Sequence, residues 1–433
     1  MKLIERTDYL NHLKRVKGTP DIKIITGIRR SGKSELLRAY SKYLENTYSN
    51  QSSKLYASAK HAQQPNELQQ PNELQQQDNS NNQELNIISI DFNNLNYENL
   101  KNYRSLFAYV ESRYIPEAYN VLMIDEVQLC SKFELAINSL HNSNKYDIYL
   151  TGSNAFLLSS DLATLFSGRF IEIPVFPFSF AEYCEYFEVE NNFNNALQKY
   201  LQHGGLAGSY VYANQDDAQA YIKNVYTTLV KRDLVDKYAI SEVSLLDSIC
   251  EFLMDNIANL TTANNVSSIL KKNQIETTHV TVGNYLKYLC NAFMFYKVKR
   301  YDIRGKKYLE TNEKYYLADT ALRYAILGTR NMDYGRAHEN IVALELMRRG
   351  YTIYVGKLYQ KEVDFVAIKA SEKLYIQVSD NISDSATLER ELSPLKAIKD
   401  SYTKILLANT RHDSYSIEGI LVIDIAQWLL NAN

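Results

Sequence analysis

Apolar and polar positions along this chain change period several times. Four short apolar runs, IKIIT at 22–26, NIISIDF at 86–92, NVLMIDE at 120–126 and DIYLTGS at 147–153, stand between stretches of helical spacing. Runs of this length, bounded by turns and separated by helices, predict buried parallel strands of an α/β domain. After Lys33, the apolar residues Leu36, Leu37, Tyr40, Tyr43 and Leu44 recur on one helical face. The first strand therefore runs through a short loop into a helix. Helical spacing dominates from 193 to about 238 and continues through Leu245, Ile249, Phe252, Leu253 and Ile257 as a connector. Residues 262–320 read as two short helices, a longer one at 280–293 and a hairpin turning at Arg304-Gly305, which is the element order of a winged helix. The last hundred residues return to α/β: a helix around 339–349, strands at 351–356, 362–368 and 373–379, then helix and strand again.

A Gln/Asn/Ser-rich tract at 49–83, with PNELQQ in tandem, interrupts the first α/β region. It has too few apolar groups to offset its ordering entropy, so it reads as a disordered surface insertion. Loop closure costs grow only logarithmically with length, so one domain can continue on both sides of it. At 433 residues the chain exceeds what one core of roughly 100–200 residues usually serves. Three domains are expected, at 1–190, 191–325 and 326–433.

Composition changes this picture little. Hydrophobic residues at 45% and charged residues at 23% describe an ordinary globular chain, and a net charge of -2 supplies no whole-molecule field for nucleic acid. Any basic surface must be local. Cys130, Cys184, Cys250 and Cys290 lack the close spacing of metal sites or disulfide scaffolds and should be reduced and buried. No apolar run approaches the roughly 18 residues of a membrane span. A cytoplasmic protein without a membrane partner is the simplest expectation.

Chemistry enters with Gly27-Ile28-Arg29-Arg30-Ser31-Gly32-Lys33-Ser34, which fits G-x-x-x-x-G-K-[ST] between a strand and a helix. Glycines at Gly27 and Gly32 let backbone N–H groups of the loop, including those of Arg30 and Ser31, close around phosphate oxygens, and the helix points its positive end at them. Lys33 should reach the β- and γ-phosphates of ATP, and Ser34 should ligate Mg²⁺. The plainer reading is a glycine turn before a helix. The second motif, Val121-Leu122-Met123-Ile124-Asp125-Glu126, is an apolar strand ending in adjacent carboxylates. Asp125 would hold Mg²⁺ and Glu126 would act as general base on the attacking water. Alternatively, two acids merely close a strand at a solvated edge.

With these motifs in view, nearly the whole chain resembles the AAA+ ATPases, in particular a prokaryotic family whose P-loop ATPase domain precedes a domain of unknown function with a nuclease-like fold. The resemblance rests on GIRRSGKS at 27–34, LMIDEVQ at 122–128, YLTGSNAFLLS at 149–159, SGRFIEIPVFPFSFAEY at 167–183 and YLQHGGLAGSY at 200–210. It implies a parallel-sheet AAA+ domain and a sensor-like polar residue near the γ-phosphate at Ser153 or Asn154. It also implies Arg169 as a candidate arginine finger. Asn154 could instead cap the following helix, and Arg169 could pair with a surface carboxylate.

The C-terminal region resembles the PD-(D/E)xK nuclease core, whose chemistry needs an acid on each of two adjacent strands to bind Mg²⁺ and a lysine two positions after the second. Asp364 fits the first acid and Glu339 lies on the preceding helix. Gln377 stands where the second acid is expected and Ser379 where the lysine is expected. A retained fold without cleavage is the reading this favours. The hairpin at 296–309 carries Lys297, Lys299, Arg300, Arg304, Lys306 and Lys307 between tyrosines. These could contact DNA phosphates, guard a sheet edge, or bear on a neighbouring domain. Two functions stay open: a nucleotide-dependent switch acting on DNA or a protein partner, and an ATP-gated nuclease.

Overall fold

The computed structural model describes the chain except residues 1, 62–82, 153–165, 167, 330–332 and 432–433. The tandem repeat therefore lies outside the described residues, as do Ser153 and Asn154. Two compact units result: residues 5–26 with 32–173, and residues 1–4, 27–31 and 174–433.

The smaller unit is built on strands β1 (Ile22–Thr26), β2 (Leu85–Asp91), β3 (Tyr119–Asp125), β4 (Asp147–Thr151) and β5 (Phe170–Pro174), in the order β2-β3-β4-β1-β5. β2 with β3, β3 with β4 and β4 with β1 pair in parallel, as the apolar runs predict. β1 and β4 are buried at every position, which explains why their sequences do not alternate. The one charge within β1, Lys23, is fully buried against Asp147 of β4. Helix α1 spans Thr7–Arg15, and α2 runs from Lys33 to His61. That length differs from the sequence expectation, because residues 49–61, placed in the polar tract, continue the helix. Polar residues without Pro or Gly can extend a helix already nucleated by a buried first half. Helices α3 (Tyr103–Glu111) and α4 (Phe133–Asn142) complete this unit.

The larger unit holds a nine-stranded sheet that joins what the sequence divides at residue 325. Strands β6 (Leu260–Thr261), β7 (Phe295–Asp302) and β8 (Lys307–Leu317) come from the middle of the chain. Strands β9 (Thr352–Leu358), β10 (Lys361–Lys369), β11 (Glu372–Ser379), β12 (Thr403–Ala408), β13 (Tyr415–Ile417) and β14 (Ile420–Asp424) come from its end. β7 pairs in parallel with β9, matching Arg300 to Val355 and Asp302 to Lys357. One apolar cluster draws Phe180, Leu197 and Tyr200 together with Val298, Tyr316, Ile341, Phe365 and Trp428. The expected boundaries at 190 and 325 thus run through this unit, since its strand ladder and core cross both.

The β7–β8 hairpin closes where Asp302 faces Lys307, and the Asp302 carboxylate accepts from the backbone N–H groups of Arg304 (3.1 Å) and Gly305 (3.0 Å). Ahead of it lie α5 (Phe180–Tyr186), α6 (Phe193–His203), α7 (Gln215–Thr228), a π-helical segment (Leu229–Asp236), α8 (Val243–Asp255), α9 (Ala263–Lys272) and α10 (His279–Asn291). Two helices, not three, precede the hairpin within 262–320. Helices α11 (Thr320–Leu327), α12 (Tyr334–Arg348), α13 (Ser385–Lys396) and α14 (Ile425–Leu430) follow. All four cysteines are free, with thiols pushed up to about 12 by burial, which keeps them protonated and inert. No described helix is long and apolar enough to cross a membrane.

Candidate functional site

The loop between β1 and α2 has the backbone that a phosphate cradle requires. Gly27 has φ 138, Gly32 has φ 96 and Arg30, a non-glycine, holds φ 69. Left-handed residues in sequence turn successive N–H groups toward one concavity. A Cβ on Gly27 would come 2.1 Å from the Val175 carbonyl oxygen, so no other residue fits there. Lys33 opens α2 and is 5% exposed.

Ser34 lies in the first turn of α2, and its hydroxyl favours the charged form of the Asp125 carboxyl at the end of β3. Thr151, the last residue of β4, donates to Asp125 and accepts from the backbone N–H of Glu126 at 3.1 Å. Burial raises the Asp125 carboxyl above the ordinary range, and the Thr151 and Ser34 hydroxyls pull it back. The Glu126 and Asp91 charges push it further up. Glu126 takes a left-handed backbone (φ 55, ψ 48) where β3 breaks into a short turn, and its carboxylate accepts from the Gln128 amide. Asp91 lies level with Asp125 at the end of β2. Ser34, Asp125, Glu126 and Thr151 are thus brought together at the carboxyl ends of parallel strands, where ligands of open α/β sheets bind.

Sequence reasoning passed over three neighbours. Thr151 carried a signal, as a polar residue closing an apolar strand. Asp91 carried the same signal at the end of NIISID. Arg6 carried none; it is 7% exposed, and its Nη1 lies 3.8 Å from where a Gly32 Cβ would be.

Arg169 is exposed and donates from Nη1 to the Asn142 side chain at 2.6 Å. Its carbonyl accepts from Ile22, the first residue of β1, whereas the loop follows the last. At about 3.3 Å per strand residue, these ends are roughly 15 Å apart. Arg169 is not gathered with Lys33 and Asp125.

The nuclease-like residues do converge, around a group that the sequence comparison missed. Lys314 of β8 is 3% exposed, and its Nζ lies 2.8 Å from Glu339, 2.8 Å from Glu362 and 3.6 Å from Asp364. Burial alone would lower its ammonium, but the Glu339, Asp364 and Glu362 carboxylates together raise it above its usual range. Tyr316 also donates to Glu339 at 2.7 Å. Burial, then the Glu339 charge, pushes the Asp364 carboxyl up to about 8, against the pull of Lys314 and the Val378 N–H. The Gln377 amide oxygen accepts from the Asp364 N–H at 3.3 Å and its nitrogen donates to Glu391 at 3.0 Å, while Ser379 donates to the Asn381 carbonyl at 3.1 Å. Glu339, Glu362 and Asp364 thus converge on the Lys314 ammonium of β8. Among the described residues no group of three or more His, Cys, Asp or Glu is arranged to hold a metal ion.

A glycine loop leading from β1 into α2, paired acids ending β3 and a sheet ordered β2-β3-β4-β1-β5 define the class as a P-loop domain of the AAA ATPase type. A family model described as an AAA domain matches residues 73–184, and one described as a domain of unknown function (DUF8612) matches 194–333. An uncharacterized protein of Haemophilus influenzae is 35% identical over 433 residues, covering 99% of each chain, and this chain belongs to its family. Uncharacterized protein MJ1544 of Methanocaldococcus jannaschii is 25% identical over 313 residues, covering 69% of each. Among solved structures, the Walker-type ATPase PABY2304 of Pyrococcus abyssi overlaps 75% of this chain and 95% of its own at 16% identity and a TM-score of 0.44. Cdc6p of Pyrobaculum aerophilum overlaps 79% and 95% at 11% identity and a TM-score of 0.29. These overlaps are too loose to add to what the sheet order itself defines.

Proposed function

We propose that the protein binds Mg-ATP at Gly27–Ser34, hydrolyses it with Glu126 as general base, and uses the nucleotide state as a switch on a DNA or protein partner. The observation that carries this reading is the left-handed backbone of Gly27, Arg30 and Gly32, a phosphate cradle leading into α2, where Ser34 and Asp125 would share Mg²⁺. When bound, Mg²⁺ would neutralise phosphate charge. Lys33 adds a cation at the start of α2, and the loop N–H groups hold the phosphate oxygens. Glu126 would take the proton from water, with its backbone held by Thr151. Arg169 remains a candidate finger only toward a neighbouring copy, because its place at the start of β1 keeps it from this loop. Lys33→Ala is expected to weaken binding of a fluorescent ATP analogue at least tenfold, and unchanged affinity would sink the reading.

For the partner, the hairpin exposes Lys299, Arg304 and Lys306, with Arg304 stacked over Tyr359 at 5.0 Å. Lys297 is partly neutralised by Glu313 at 3.1 Å. Exposed cations with interleaved tyrosines fit DNA phosphates and bases. The nuclease alternative is disfavoured, because Lys314 sits among the carboxylates that a metal would need. Plasmid nicking with Mg²⁺ or Mn²⁺ that disappears in Asp364→Ala would reverse that judgement.

A further inference from the structure

We infer that Asp233, on the π-helical segment Leu229–Asp236, is a positioning residue for the phosphate loop, and that this segment responds to the loop's nucleotide state. The inference rests on the loop binding nucleotide, as proposed above. Residues 27–31 are compact with the larger unit, and two of their side chains are anchored there. Ile28 is fully buried in the helical core that also contains Leu229, Val230 and Leu234. Arg29 donates from Nε to one Asp233 oxygen at 3.0 Å and from Nη2 to the other at 2.9 Å.

A two-pronged guanidinium–carboxylate pair fixes orientation as well as distance. The Asp233 side chain is 5% exposed and that of Arg29 16%, so water neither screens the pair nor substitutes for either partner. At the loop's start, the Val175 carbonyl leaves no room for a side chain at Gly27. A backbone shift at Arg29 must therefore carry Asp233 with it or break the pair.

The element on the far side is suited to respond. α7 passes directly into eight residues of π-helix. Such wide turns are rare, recur at functional sites, and can relax to α-helical pairing by a register change along the strand of hydrogen bonds. That change would rotate Asp233 relative to Arg29, giving the pair a made and a broken arrangement. By reciprocity, whatever nucleotide does to the pair, the pair does to nucleotide affinity.

The test combines calorimetry of Mg-ADP binding with amide hydrogen exchange, on wild type, Asp233→Asn and Asp233→Glu. Wild type at saturating Mg-ADP should show altered exchange across Leu229–Asp236. Asp233→Asn should bind Mg-ADP about tenfold more weakly and lose that response at saturation while keeping the response of the loop itself, and Asp233→Glu should recover part of both. A merely structural role would lower the melting temperature without abolishing the response. If Asp233→Asn fails to fold, the wild-type exchange experiment decides alone. Unchanged exchange at 229–236 with the loop protected would overturn the inference and leave nucleotide binding intact. No Mg-ADP binding by wild type would overturn both.

Discussion

Thr151 shows how one hydroxyl sets the chemistry of two acids. It offsets the burial that raises Asp125 and fixes the backbone of Glu126. Thr151→Val keeps the volume but removes both bonds. A hydrogen bond to a charged group is worth about 1.5–3 kcal/mol, so turnover should fall roughly ten- to a hundredfold. The acid limb of the pH–rate profile should also move upward, because Asp125 loses a donor that favours its charged form. An unshifted profile with unchanged turnover would remove Thr151 from the machinery. At Asp364 the sign of the pH effect is equally definite. Its carboxyl titrates at 3.8 when unperturbed and at about 8 in the fold. The folded chain thus holds a proton the unfolded chain releases, a stabilisation fully present at acid pH and lost as pH rises through 8. Asp364→Asn fixes the neutral form, so its urea midpoint should fall less than that of wild type between pH 6 and 9. Parallel curves would mean Asp364 is ionised throughout.

Among elements, β7 makes the sharpest demand on the description of the fold. It hydrogen-bonds to β8 on one side and, from Arg300 to Asp302, to β9 on the other. A chain ended after residue 325 would bare the β9-facing edge of β7 and strip Tyr316 of its packing on Phe365. It should aggregate or unfold without cooperativity by circular dichroism and size exclusion; a stable monomer would restore a boundary there. Individual strands were legible because their apolar runs are local: the expected strands at 362–368 and 373–379 appear as Lys361–Lys369 and Glu372–Ser379. The loop and the Asp125-Glu126 pair could be singled out as candidates because their signals lie within a few consecutive residues. The merged sheet was not, since β7 and β9 meet across more than fifty residues and parallel pairing leaves no turn signal. Lys314 was hidden for the same reason, being far in sequence from the acids it serves.

At the scale of the whole molecule, the chain contains a P-loop domain of the AAA type, and residues 27–31 are compact with the larger unit. The partner surface can be addressed separately: Lys299→Glu with Arg304→Glu and Lys306→Glu should abolish salt-dependent DNA binding and leave basal ATP turnover unchanged. Retained DNA affinity would move the partner elsewhere. The most direct test of the central claim is release of phosphate from ATP, measured alongside equilibrium ATP binding, in wild type and Glu126→Gln. Wild type should turn over with Mg²⁺, and the variant should bind ATP with near-normal affinity while releasing phosphate at least a hundredfold more slowly, because the amide cannot take the proton. Equal phosphate release by the two proteins would contradict the account.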